Sequence, residues 1–144
     1  MRYVVDASVA VRWFVEEEVD LASQAVLARM PMEPDLFAVP ELFLYEVLAV
    51  LSRLHPDPIA AYCDGFLPTV QAGILRYPMT ESIAKGALTY VARGLSGYDA
   101  VYAALARELG ATWLTYDATA HRRIRDEGIS ACLTDGLPGD WASP

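Results

Sequence analysis

Two short apolar runs in this chain each stop on an aspartate, and they lie near opposite ends of the sequence. Tyr3-Val-Val5 runs into Asp6, and Thr112-Trp-Leu-Thr115 runs through Tyr116 into Asp117. Brief apolar, β-branched stretches of this kind read as buried strands. Strands buried on both faces belong to parallel sheets covered by helices. In an open parallel sheet, ligands sit beyond the carboxyl ends of the strands. Asp6 and Asp117 are therefore expected to face one crevice.

The intervening sequence alternates as such a fold requires. A helix is predicted over Ala7 to Val15, with Asp6 placed to cap it, then a charged link Glu16-Glu17-Glu18 and a second helix over Leu21 to Met30. Pro31 and Pro34 mark a loop, Leu36 to Val39 a short strand, and Pro40 a helix start, where its missing N–H does no harm. The helix over Glu41 to Leu54 is apolar on almost every side and is expected to be central. Ile59 to Gln71 reads as helix kinked or split by Gly65 and Pro68, and Ile74 to Tyr77 as strand. Helices over Thr80 to Val91 and Tyr98 to Leu109 follow, the second stopped by Gly110. Thr112 to Thr115 is a strand, Ala118 to Asp126 a helix and Ile129 to Leu133 a last strand, with a surface tail from Thr134. With no repeat, low-complexity tract or boundary, residues 1–144 are expected to form one domain: a three-layer α/β/α sandwich around a central, mostly parallel, twisted sheet.

Composition narrows the function. The chain is 54% hydrophobic, yet no segment approaches the roughly 18 consecutive apolar residues of a membrane span. No signal-peptide pattern opens it, so a cytoplasmic, non-membrane protein is expected, with the surplus apolar surface covered by an oligomer or a partner. A net charge of −8 argues against gripping nucleic acid by bulk charge. Lys85 is the only lysine, and arginine supplies the remaining positive charge, which suits bidentate phosphate contacts. Cys63 and Cys132 have no metal-ligand spacing and are expected to be buried as small apolar residues.

Four carboxylates carry the chemistry. Asp6 and Asp117 have an ordinary explanation as helix caps, and Asp99 another as a first-turn acid facing the helix dipole. Glu46 is harder to explain structurally. It sits within Leu42-Phe-Leu-Tyr-Glu-Val-Leu-Ala-Val-Leu51, and a glutamate in such a setting needs a partner or a site. If all four share a crevice, like charges about 4 Å apart repel by roughly 4 kcal/mol per pair at an effective dielectric near 20. A hard divalent cation, Mg2+ or Mn2+, removes that conflict and favours carboxylate and water ligands. Metal-assisted phosphodiester chemistry is the reading that follows, with Asp6, Asp99 and Asp117 as ligands. Glu46 would ligate through water or orient the attacking water. Ser8 and Thr115 are the supporting hydroxyls.

The blocks Val4-Val-Asp-Ala-Ser-Val-Ala-Val-Arg-Trp-Phe14, Pro40-Glu-Leu-Phe-Leu-Tyr-Glu46, Ser96-Gly-Tyr-Asp-Ala-Val-Tyr-Ala-Ala-Leu-Ala106 and Leu114-Thr-Tyr-Asp117 resemble the four acidic motifs of the PIN-domain family. More narrowly, they resemble the VapC toxins of toxin–antitoxin pairs. The resemblance spans essentially the whole chain. It implies a magnesium- or manganese-dependent endoribonuclease, dimeric and blocked by a cognate antitoxin. Carried onto this chain, the site residues are Asp6, Glu46, Asp99 and Asp117, supported by Ser8. One departure is Ala118-Thr-Ala120, where many relatives carry a further acid, so the number of ions, one or two, stays open.

Arg12 and the cluster Arg122, Arg123 and Arg125 are candidate RNA contacts, set against solvated helix ends as the plainer reading. Trp13-Phe14 and the tyrosines are expected in the core or a dimer interface rather than stacked on bases. His55 and His121 have no metal-pair spacing and are expected at the surface or at helix ends. Neither a Walker pattern nor a nucleophile elbow occurs. The rival readings are a metal- and RNA-binding domain that does not cut, and a receiver-like phospho-acceptor module. Lys85, on a helix rather than at a strand end, counts against the second.

Overall fold

The computed structural model describes residues 2–15 and 20–142. Five strands form one sheet in the order β3-β2-β1-β4-β5, every neighbouring pair parallel. They are β1 (Tyr3–Val5), β2 (Phe37–Pro40), β3 (Leu75–Tyr77), β4 (Thr112–Thr115) and β5 (Ser130–Cys132). The helices are α1 (Ala7–Val11), α2 (Leu21–Arg29), α3 (Glu41–Leu54), α4 (Leu67–Gln71), α5 (Glu81–Ala92), α6 (Gly97–Leu109) and α7 (Ala118–Ile124). The chain steps outward from β1 to β3, then returns through α5 and α6 to place β4 on the other side of β1. Right-handed crossovers, the rule for parallel strands, imply helical layers on both faces; α1 packs with α3, and α6 packs with α5 and on β1, β2 and β4. That reversal sets the crevice between β1 and β4, where the two strand-end aspartates lie. β1, β2 and most of β4 are completely buried, as their unbroken apolar runs require.

Several expectations change in the structure. The first helix ends at Val11, and the chain turns through Trp13 and Phe14 by bonds to the Ala10 and Val11 carbonyls. Trp13 is buried with its indole N–H on the Ser23 carbonyl at 2.9 Å, so the aromatic pair belongs to the core. The Glu16–Glu18 link lies outside the described residues. Helix α3 has the expected bounds but is not central. Phe43, Leu44, Val47 and Leu51 are buried, while Tyr45, Leu48 and Leu54 are exposed. Its outer stripe is apolar, yet among the described residues it stays exposed.

The predicted kink is a stretch of π-helical winding over Ala60–Phe66, ahead of Pro68 near the start of α4. Proline removes a helical donor and crowds the preceding turn, and Gly65 leaves room for the Phe14 ring. A Cβ there would meet Phe14 Cε1 at 2.9 Å. Cys132 is buried, but Cys63 is exposed on the π-helical segment. The tail is not wholly surface, because Trp141 packs its ring on Tyr3 at 5.0 Å between centroids. His55 caps the end of α3, and His121 on α7 meets Ser130 Oγ at 2.7 Å. Among the described residues no helix is long and apolar enough to cross a membrane.

Candidate active site

Asp6 follows β1 directly, and its N–H donates to the Leu114 carbonyl on β4 at 3.0 Å. Its side chain caps α1, accepting the Ser8 N–H on Oδ2 at 2.9 Å and the Trp113 Nε1–H on Oδ1 at 3.1 Å. Burial pushes its carboxyl up. The bonds from Ser8 and Trp113 oppose that rise, and the Asp117 charge adds to it.

Asp117 caps α7 in the same way, accepting the Ala120 N–H on Oδ1 at 2.9 Å. Its own N–H is held by the buried Thr115 Oγ1 at 3.0 Å. The capping role of both aspartates is therefore real, and it coincides with their position at the crevice. Ser8 ties the two sides together, because its Oγ accepts the Tyr116 N–H at 3.1 Å.

Asp99 stands in the first turn of α6, whose N-cap is Ser96. Its carboxyl is pushed up to about 7, first by burial, then by hydrogen bonding with the Asp117 carboxyl and by the charges of Asp6 and Asp117. Ser96 opposes the shift. Glu46 on α3 is half-buried and also pushed up by burial, with the Asp6 charge adding and the Tyr102 hydrogen bond opposing. The Tyr102 hydroxyl donates to Glu46 Oε1 at 2.8 Å. Asp6 thus feels Asp117, and both Asp99 and Glu46 feel Asp6. The fold gathers all four acids into one electrostatic cluster from four separate elements.

The donor set consists of hard oxygens under mutual repulsion, which fits a hard divalent cation. Among the described residues, no three His, Cys, Asp or Glu side chains already converge as a ligand set. Asp6, Glu46 and Asp117 line one cavity, and Asp99 and Asp117 another. Magnesium commonly takes one or two protein carboxylates and completes its shell with water.

Two cavities open on Asp117. The larger, about 460 Å³, is lined by Asp6, Ser8, Arg12, Glu46, Arg53 and Tyr116 as well as Asp117. A smaller one, about 170 Å³, joins Asp117 to Asp99, Ser96, Thr119 and Arg123. Of the predicted arginines, Arg12 and Arg123 reach the site. Arg12 lies over the Tyr116 ring, 3.7 Å from its centroid, and Arg123 donates to the Gly94 carbonyl. Arg122 lines neither cavity and bonds Thr119 at 3.3 Å. Arg53 was not anticipated, although it lies seven residues after Glu46 on one helix, a spacing that puts both on the same face. Tyr102 and Trp113 were also missed as partners of Glu46 and Asp6.

An α/β/α sandwich with an acidic cleft at its strand switch point is the class that fold and site define. The chain belongs to the PIN domain family, whose profile matches residues 3–126; the family is typified by nucleases. No curated protein sequence matches the chain. Among solved structures, PAE2754 from Pyrobaculum aerophilum is similar with a TM-score of 0.67 at 20% identity, covering 94% of this chain and 91% of that one. VapC20 from Mycobacterium tuberculosis, described as a sarcin–ricin loop cleaving toxin, has a TM-score of 0.59 at 18% identity, covering 83% and 93% respectively. At such identities the likeness is one of fold.

Proposed function

We propose that this protein is a divalent-metal-dependent endoribonuclease and the toxin of a VapBC-like toxin–antitoxin pair. The observation that carries the reading is that Asp117 lines both a cavity with Glu46 and buried Asp6 and a second cavity with Asp99, an acidic cleft whose mutual repulsion a cation would relieve. Asp99 and Asp117 would hold Mg2+ or Mn2+, with Asp6 adjacent and Glu46 reaching it through water. A cation held there supplies a more acidic water and stabilises charge on the phosphoryl oxygens. Glu46, fixed by Tyr102, orients the attacking water and accepts its proton. Arg12, Arg53 and Arg123 flank the acids and offer guanidinium groups to phosphates on either side of the scissile bond.

A second copy of the chain is the partner proposed for the exposed apolar stripe of α3. Tyr45 there borders an apolar groove of about 440 Å³ that also includes Met79 and Tyr98. A cognate antitoxin would close the acidic cleft. The direct test is cleavage of single-stranded RNA with Mg2+ or Mn2+, followed by product analysis. Asp6→Asn, Asp99→Asn and Asp117→Asn should each reduce the rate by at least about a hundredfold. Cleavage unchanged in these variants would overturn the assignment.

A further inference from the structure

Two buried aromatic residues reach the acidic cleft through their polar tips. Tyr102, on the turn of α6 after Asp99, and Trp113, in the middle of β4, are almost wholly buried. Their rings stack with centroids 6.0 Å apart and planes within 10°. Each carries one polar tip, and each tip ends on a site carboxylate. Tyr102 Oη donates to Glu46 Oε1 at 2.8 Å, and Trp113 Nε1 donates to Asp6 Oδ1 at 3.1 Å.

Glu46 comes from α3 and Asp6 from the end of β1, whereas Tyr102 comes from α6 and Trp113 from β4. A buried hydroxyl or indole N–H must find an acceptor, and an ionised carboxylate is the strongest available. Phenylalanine in either place would fill the same layer without that demand. The stack therefore does something packing alone does not require: it links two carboxylates from different elements, Asp6 at the end of β1 and Glu46 on α3, to one pair of rings.

Resting on the metal-nuclease reading, we propose that Tyr102 and Trp113 form a single positioning unit, fixing one oxygen each of Glu46 and Asp6 so that their remaining lone pairs face a divalent cation and its waters. Outer groups that hydrogen-bond metal-binding carboxylates typically govern affinity by ten- to a hundredfold.

The test is Mn2+ binding to the full chain by titration calorimetry and electron paramagnetic resonance, with melting in EDTA as the control for folding. Tyr102→Phe removes one oxygen and keeps the stack. It should weaken Mn2+ binding about tenfold while leaving metal-free melting nearly unchanged, and it should have no further effect in a Glu46→Ala background. Trp113→Phe, which also leaves a cavity and should lower metal-free melting, should weaken Mn2+ binding similarly and lose that effect in Asp6→Asn. If it fails to fold, the Tyr102→Phe cycle decides alone. Equal Mn2+ affinity in wild type and Tyr102→Phe overturns the positioning role and leaves the metal-nuclease reading intact, as does an equal loss with Glu46 present or absent. A wild-type protein that binds no Mn2+ overturns both.

Discussion

Asp99 and Asp117 line one small cavity, although one rides the first turn of α6 and the other caps α7. Without a cation, burial and the neighbouring Asp117 and Asp6 carboxylates push the Asp99 carboxyl up to about 7. The folded protein then binds the Asp99 proton more tightly than the unfolded chain does, so the associated stability is present at low pH and lost as pH rises through the folded value.

Metal-free protein should therefore lose stability between about pH 4 and pH 7, the interval between the ordinary value of 3.8 and the raised one. A shift of this size is worth about 4 kcal/mol unscreened, and about 2 kcal/mol for a half-exposed group. Melting in EDTA across this range measures the slope. Asp99→Asn should flatten it, and Mg2+ should offset it increasingly as the carboxyls ionise. A pH-independent melting temperature in wild type would show that the pair is not coupled.

Arg53 stands at the rim of the cleft that contains Glu46 and Asp117. Arg53→Ala should raise KM several-fold with little change in kcat, since it removes a phosphate contact and no reacting group. For one lost contact to single-stranded RNA, the slope of log affinity against log salt should shrink by about 0.7. Fluorescence anisotropy with an RNA oligomer at several salt concentrations would read this directly. An unchanged slope would remove Arg53 from the RNA path.

The exposed Tyr45 and Leu48 on α3 predict self-association. Light scattering coupled to gel filtration should give a dimer mass for wild type and a monomer mass for Tyr45→Asp combined with Leu48→Asp. Circular dichroism should be unchanged, because neither side chain is in the core. A monomeric wild type at micromolar concentration would exclude the dimer.

Gly65 is expected to resist replacement. Alanine would gain up to about 1 kcal/mol in helix propensity, but its Cβ would press on the Phe14 ring, which also contacts Phe66 in an edge-on pair. Overpacking of this kind costs about 1–3 kcal/mol, so Gly65→Ala should lower stability by about 1 kcal/mol in urea denaturation. A more stable variant would show that Phe14 can move aside.

Much of this protein could be read from the chain alone, and the reason is local. Strands that are buried on both faces must be short apolar runs. Their polar stops mark the carboxyl ends, and proline, glycine and capping residues punctuate the helices between them. Asp6, Asp99 and Asp117 were visible because each sits at such a boundary, and Glu46 because an acid interrupts an apolar helix. What remained hidden depends on side-chain neighbours distant in sequence. Tyr102 and Trp113 look like ordinary core aromatics until their tips are seen on Glu46 and Asp6. Likewise, the apolar surround of α3 does not say which side meets the sheet and which meets solvent. Hydrophobic pattern determines what must be buried by something, and only the packed chain decides which partners do so. The same holds for charge: the sequence supplied four acids, and tertiary structure decided that Asp99 and Asp117 line one cavity while Asp6 and Glu46 each accept from one ring of a single stack.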